Sequence, residues 1–344
     1  MRSQVGGSTP RTARKRLLTG YSNAVSELPA RNLPSLGILI KSYRDDLERA
    51  EELCRSLKLF NADNLPIWIV VPEQDIPDFE LCAQSCNATL LSESLFAHHL
   101  TDIPVAGIRP GYINQEIIKL AFWELGLVEN YLPIDSDAVV LRQFGKRDLM
   151  FDSDTPFTVL LEDHELKIEP KYFNENWQGR ETSLNDIKSF LELDDHRILT
   201  CHGHQVLCAK VLKSFKEQVL VPRGLGYRDI LEIAPYEFSW YNFWLQKSLV
   251  IPIHQREPYF KVIHSAEQHL EIALKGITME DISRAYIGVI INSNFSKSWG
   301  EIDTHEPKTT TLARYLTWNE LLVTVKTKAT QAFKRRIQTK KNPS

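Results

Sequence analysis

Apolar positions along the chain fall into short continuous runs separated by stretches with helical spacing. The first run is Leu36-Gly-Ile-Leu-Ile40; from Asp45 to about Phe60, Leu47, Ala50, Leu53, Cys54 and Leu57 then recur at helical intervals. A short apolar run predicts a strand buried on both faces, and i, i+3, i+4 spacing predicts a helix that covers it. Asp45 suits the cap of that helix. The alternation continues with a strand at Ile67–Val71 closed by Pro72, a helix near 76–86 and a short strand at 88–91. After a loop with Gly107, Pro110 and Gly111, a helix from about 113 to 125 leads into the strand Tyr131-Leu-Pro-Ile134, which ends at Asp135. A further strand at 157–161 runs into the acidic cluster Glu162-Asp163-His164-Glu165. Strands alternating with helices imply crossover units, hence an α/β fold with a mostly parallel central sheet flanked by helices.

The second half is more broken. Helical spacing appears near 183–193, 209–219 and 236–246, and strand-like runs near 249–253 and 259–263, with no internal repeat. Residues 1–32 hold Gly, Ser, Pro and Arg without periodicity and read as a basic flexible tail. Residues 33–305 then form one catalytic-sized domain, and 306–344 a basic amphipathic helix and tail. In that last segment Trp318, Leu321, Leu322, Val325, Ala329 and Phe333 share one helical face, which packs on the domain or lies on a membrane surface.

Composition narrows the class. The 344 residues are 43% hydrophobic and 25% charged, ample for a core, and no apolar run approaches the ~20 residues of a bilayer span. The net charge of −3 is unevenly laid out. The first 26 residues contain Arg and Lys but no acid, and everything after Glu320 is likewise basic, so the middle is clearly acidic. An acidic centre argues against a core that grips nucleic acid. The basic ends fit solvated tails or peripheral attachment to an anionic membrane face. Five cysteines (Cys54, Cys82, Cys86, Cys201, Cys208) include no Cys-x-x-Cys pair, which suggests reduced thiols and a cytoplasmic setting. The N-terminus lacks the apolar stretch of a secretory signal.

Two Asp-x-Asp triplets occur, and context separates them. Asp135-Ser-Asp137 interrupts a buried segment, between Leu132-Pro-Ile134 and Ala138-Val-Val-Leu141; Asp152-Ser-Asp154 lies in a polar stretch before Thr155-Pro156, where such residues serve turns. Carboxylates two apart at a strand end point the same way, into the crevice at the carboxyl edge of an open sheet. Held close, like charges favour a cation, and oxygen-only ligands suit Mg²⁺ or Mn²⁺ with substrate phosphates. The plain alternative is a turn with a capping Asp.

Four features follow one another in order: Lys41-Ser42-Tyr43-Arg44-Asp45 closing the first strand, Gln115-x-x-x-Lys119-Leu120 on a helix, the strand into Asp135-Ser-Asp137, and Tyr236-Glu237-x-x-x-Tyr241. Over roughly residues 36–270 the chain resembles GT-A glycosyltransferases, and more closely a bacterial group of little-characterised glycosyltransferase-like proteins. The resemblance implies a GT-A-like nucleotide-diphospho-sugar transferase fold. It also implies transfer of a sugar from a nucleotide-sugar donor to a glycan, polysaccharide or lipid-linked acceptor. Asp137 would bind the divalent metal, and Asp135 the metal, sugar or ribose. Ser42, Tyr43, Arg44 and Asp45 would hold the nucleoside, with Tyr43 against the base. Gln115 and Lys119, one turn apart, would face the donor, Lys119 as a point cation for phosphate. A third metal ligand is expected at His264, with His254 and His269 as competitors.

For acceptor activation the candidate is Glu237, whose aromatic surroundings (Phe238–Trp244) should raise its pKa toward the range of a general base. His202-Gly-His204 could line the acceptor pocket; zinc ligation by that pair lacks further partners. Two other classes compete. Asp135-Ser-Asp-Ala-Val139 also fits the wording of a haloacid-dehalogenase-like phosphohydrolase, with Asp135 as nucleophile, although that motif normally sits on the first strand. The other is a catalytically silent nucleotide- or sugar-binding protein on the same fold.

Overall fold

A computed structural model describes residues 33–161, 170–193, 199–201 and 203–292. The basic tails, the 162–165 acidic cluster and His202 lie outside the described residues. The central sheet has the order β3-β2-β1-β4-β7. Its members are β1 (Gly37–Lys41), β2 (Ile67–Val71), β3 (Thr89–Ser92), β4 (Asn130–Asp135) and β7 (Leu207–Cys208). The first four are parallel, and β7 closes the edge antiparallel to β4. β1 and β2 are buried at every position, as expected of strands covered on both faces. β1 and β2 approach closely at Gly37, where a Cβ would collide with the Trp68 ring and the Pro66 carbonyl.

Helices α1 (Leu47–Phe60), α2 (Ile76–Ser85) and α3 (Pro110–Ala121) supply the crossovers. α1 buries Ala50, Leu53, Cys54 and Leu57, the positions its spacing marked. Cys54 and Cys82 meet between α1 and α2 with sulfurs 3.5 Å apart, and none of the five cysteines, all among the described residues, forms a disulfide. Pro110 opens α3 in its first turn, where its missing N–H costs nothing. α3 buries Ile113, Glu116, Ile117, Lys119 and Leu120, so its inner face carries two charges among the apolar residues.

After Asp135 the chain leaves the first sheet. β5 (Ala138–Val140) belongs to a second sheet of order β5-β10-β9, in which β10 (Gly288–Ile291) is antiparallel to β5 and parallel to β9 (Phe260–Ile263). A two-stranded parallel pair joins β6 (Thr158–Val159) to β8 (Gln255–Arg256). The longer helices that follow among the described residues are α4 (Pro170–Phe190), α5 (Ala209–Phe215), α6 (Tyr227–Ile233), α7 (Glu237–Ser248), α8 (Ala266–Leu274) and α9 (Met279–Ala285). α7 is buried nearly all round, with Phe238, Trp240, Tyr241, Phe243 and Trp244 all inside, so its aromatics are first of all core.

Two expectations are corrected here. The apolar run 249–253 forms no strand: Leu249 adopts a left-handed conformation (φ 47°) that ends α7, and Leu249 and Val250 stay exposed. The strand at 157–161 shrinks to Thr158–Val159, with Leu161 making one isolated bridge to Thr200.

Candidate functional site

The turn at Asp135–Asp137 lies where the two sheets meet. β4 carries Asp135 to the carboxyl edge of the parallel sheet, beside Lys41 of β1. Asp137 is tied to the second sheet, its carbonyl accepting the Ile291 N–H at 3.1 Å. In front of this turn opens a cleft of about 420 Å³. Of the residues marked in the sequence, Tyr43, Gln115, Lys119, Asp135, Asp137, His204, Glu237 and His264 line it.

Ser42, Arg44 and Asp45 do not line the cleft. Ser42 is buried and continues the β1 ladder through its N–H to Val70 O at 3.1 Å. Arg44 is drawn outward by Asp75 and Asp78, with ion-pair distances of 3.1 and 2.9 Å, and Asp45 is exposed. The residue that faces the cleft after Tyr43 is instead Asp46, whose pKa is raised by burial against the opposing pull of Arg49 and a Ser136 hydrogen bond. His254 stacks on Phe151 at 3.4 Å, and neither it nor His269 lines the cleft. The second triplet is a turn, as its context indicated: Asp152 Oδ1 accepts the N–H groups of Asp154 and Thr155 at 2.9 and 2.7 Å.

At the floor of the cleft sits a buried charge cluster. Lys119 Nζ lies 3.0 Å from Asp135 Oδ1, 3.0 Å from Glu237 Oε1 and 3.4 Å from Glu116 Oε2. Burial alone would lower the lysine pKa, but Asp135, Glu116 and Glu237 together hold it well above its usual value. Gln115 donates to the same Asp135 oxygen at 2.8 Å. Burial pushes Asp135 up, yet Lys119, His204 and these hydrogen bonds keep it below the usual carboxylate range. The i, i+4 pair Gln115 and Lys119 thus grips one carboxylate, with Lys119 already committed to three acids.

Glu237 departs from expectation. Burial among aromatics does favour its neutral form, but Lys119 and a hydrogen bond from Glu116 outweigh that and lower its pKa. It also stands in the first turn of α7, where the helix dipole favours negative charge. The acid whose pKa rises is Glu116, raised well above normal by burial and then by the Glu237 charge, so it shares its proton with Glu237. Glu116 had no distinguishing sequence signal beyond its place three residues before Lys119. Arg109, Tyr112, Asn176, Arg180 and His204 complete much of the lining, and Arg180 lies over the Tyr236 ring at 4.8 Å.

His264 is held neutral, with a pKa of about 4, by burial and then by the nearby Lys261 and Arg180 charges. Carboxylates with a neutral imidazole are donors that suit Mg²⁺ or Mn²⁺, so the donor types of Asp135, Asp137 and His264 fit such an ion. Their ligand atoms are spread more widely than those of His98, His99 and Glu124, which among the described residues alone form a trio within 4.8 Å of one another. In that trio Glu124 is already held by Lys216 at 2.7 Å and the Tyr227 hydroxyl at 2.8 Å.

A model of a family of unknown function, DUF6492, matches residues 33–231. No curated protein matches the chain. Among solved structures, mouse xyloside xylosyltransferase 1 in its apo form is 8% identical, with a TM-score of 0.43, covering 76% of this chain and 99% of that one. The bifunctional glycosyltransferase WbbM, also apo, is 12% identical at a TM-score of 0.43, covering 77% of this chain and 46% of that one, so the chain spans about half its length. Likeness at this level carries no argument about what the cleft does.

Proposed function

The chain belongs to the DUF6492 family, whose function is unknown, and we propose that it is a metal-dependent glycosyltransferase that moves a sugar from a nucleotide-sugar donor to a glycan, polysaccharide or lipid-linked acceptor. The observation that carries this reading is the Asp135-Ser136-Asp137 turn, which opens at the carboxyl edge of a parallel sheet into a cleft that also holds Tyr43, Arg109, Arg180 and His264. Open α/β sheets bind ligands at that edge. A carboxylate pair there suits a cation shared with phosphates, and aromatic and guanidinium groups suit a base and anionic oxygens.

In this reading Asp135, Asp137 and His264 hold Mn²⁺ or Mg²⁺, which when bound supplies charge neutralisation for the leaving diphosphate. Lys119 and Gln115 hold Asp135 ionised and fixed in place, so the carboxylate does not need to reorganise when the donor arrives. Lys119 acts on the donor through Asp135, since its ammonium is enclosed by three acids. Glu237 shares that duty; its lowered pKa makes it a weaker base than its sequence surroundings suggested. In this reading Tyr43, which follows β1 and lines the cleft, meets the base.

The test is a thermal-shift screen of UDP-, GDP-, CMP- and dTDP-sugars, with and without Mn²⁺, on the wild type and Asp137→Ala. A ligand that binds the folded state raises Tm by mass action. The expected result is a shift of several degrees with one nucleotide class that requires metal and is absent in Asp137→Ala. If no nucleotide sugar stabilises the wild type under either condition, the donor-site reading is wrong.

A further inference from the structure

Away from the cleft, one group of side chains gathers donors of a different kind. His98 and His99 follow the short 3₁₀ turn Glu93–Phe96, and Glu124 stands in the turn Phe122–Leu125 just past α3. None of the three lines the cleft. One ligand atom from each lies within 4.8 Å of the other two. The two imidazole rings are 3.8 Å apart, tilted by 43°.

Two of the three donors are already held in place. His99 donates its backbone N–H to Phe96 O at 2.8 Å, and its ring meets Tyr227 edge-on at 5.0 Å. The Tyr227 hydroxyl in turn donates to Glu124 Oε1 at 2.8 Å. His99 Nε2 then stands 3.2 Å from Glu124 Oε2. Nitrogen and oxygen ligands of a tetrahedral Zn²⁺, each about 2.0–2.1 Å from the ion, stand about 3.3 Å from one another. The His99–Glu124 pair therefore has the spacing of one edge of such a site. His98 is the adjustable member: it is exposed, makes no hydrogen bond among the described residues, and closes the remaining gap by turning about its side-chain bonds. His99 and Glu124 keep 12% and 19% of their side-chain surface open, so an ion reaches them from solvent.

Lys216 Nζ, 2.7 Å from Glu124 Oε2, is the competing cation. A carboxylate oxygen accepts more than one partner, and carboxylates bound to metals keep hydrogen bonds of this kind. The ammonium still weakens the pull of the single acid on any second cation. That selects for an ion that gains from imidazole, such as Zn²⁺, over Mg²⁺ or Mn²⁺, which depend on carboxylate oxygens.

We propose that His98, His99 and Glu124 form a second metal site, separate from the cleft, for a divalent transition ion of the zinc type, with water in the fourth position. The ion would tie the turn after β3 to the end of α3 and, through Tyr227, to α6. The site stands whether or not the cleft binds a nucleotide sugar.

The full chain, stripped of metal with a chelator, is titrated with Zn²⁺ by calorimetry at neutral pH. We expect one site stronger than any other, weakened at least about tenfold by His98→Ala and by Glu124→Gln. Asp137→Ala should leave it unchanged, and Mn²⁺ should compete poorly for it. His98 is exposed, so His98→Ala should keep the wild-type Tm without metal. Histidine side-chain NMR of the wild type should show Zn²⁺ shifting the ring nitrogens of His98 and His99. Wild-type affinity in either His98→Ala or Glu124→Gln, or no Zn²⁺ binding by the wild type, overturns the proposal. Loss of the strong site in Asp137→Ala alone would place the ion in the cleft and overturn it too.

Discussion

Lys119 shows how much one residue can carry. Its ammonium is the cation shared by Asp135, Glu237 and Glu116, the two glutamates buried and Asp135 partly exposed to the cleft. Removing one partner from such a cluster leaves uncompensated charge inside the protein. Lys119→Met should therefore destabilise the fold by about 3–5 kcal/mol in urea titrations, more than a surface lysine would. Adding Glu237→Gln should recover part of that loss; no recovery would mean the two do not act as a pair. In the sequence, Gln115, Lys119, Asp135 and Glu237 could each be marked, and all four line one cleft. Their pairing was not legible, because Lys119 and Glu237 are 118 positions apart and no local period encodes the contact. That is also why the pKa of Glu237 was expected to move the wrong way: the aromatic neighbours are visible in sequence and the lysine is not. The outward turn of Arg44 was hidden for the same reason, its partners Asp75 and Asp78 arriving with the next crossover.

Elements were easier to read where both faces are buried. β1, β2 and β4 show as apolar runs because helices cover them, and α1 shows by its spacing. The run 249–253 looked the same but is partly exposed, and hydrophobicity alone does not distinguish a strand from the exit of a helix. Helix ends are also joined by polar contacts that periodicity ignores. Glu124, just past α3, accepts from Lys216 beyond α5 and from Tyr227 at the start of α6, and pairs with His99 at 3.2 Å. Burial would raise its pKa, but the His99, Lys216 and Tyr227 hydrogen bonds lower it to about 2 from 4.5. A carboxylate depressed on folding stabilises fully above its unfolded pKa and loses that contribution as pH falls through the folded one. The stability gap between wild type and Glu124→Gln should therefore be widest above about pH 4.5 and close as pH falls toward 2. Denaturant melts of both proteins across that range provide the check, and a gap independent of pH would sink the assignment.

At the scale of the molecule, the cleft draws on more of the chain than the family match covers. The match ends at residue 231, whereas Tyr236, Glu237, Phe238, Val262, His264 and Asn292 also line the cleft. No helix among the described residues is long and apolar enough to cross a membrane. The basic stretches at both ends still predict attraction to anionic surfaces. Full-length protein should float with vesicles containing phosphatidylserine at low salt, and deletion of residues 312–344 should reduce that binding. Equal flotation of both would remove the idea.

The junction of the two sheets has a consequence in time. A ribosome delivers β4, the Asp135–Asp137 turn and β5 early, but β5 pairs with β10, at residues 288–291. Until that late strand emerges, β5 presents an unpaired edge and Asp137 lacks the Ile291 amide that anchors it. Contacts so far apart in sequence form slowly, and domains begin to fold while still being made. The nascent chain therefore passes through a long interval with a nearly finished parallel sheet and an open seam beside its acidic turn. That seam is where a stalled or truncated chain would mispair and where a chaperone would be expected to hold it.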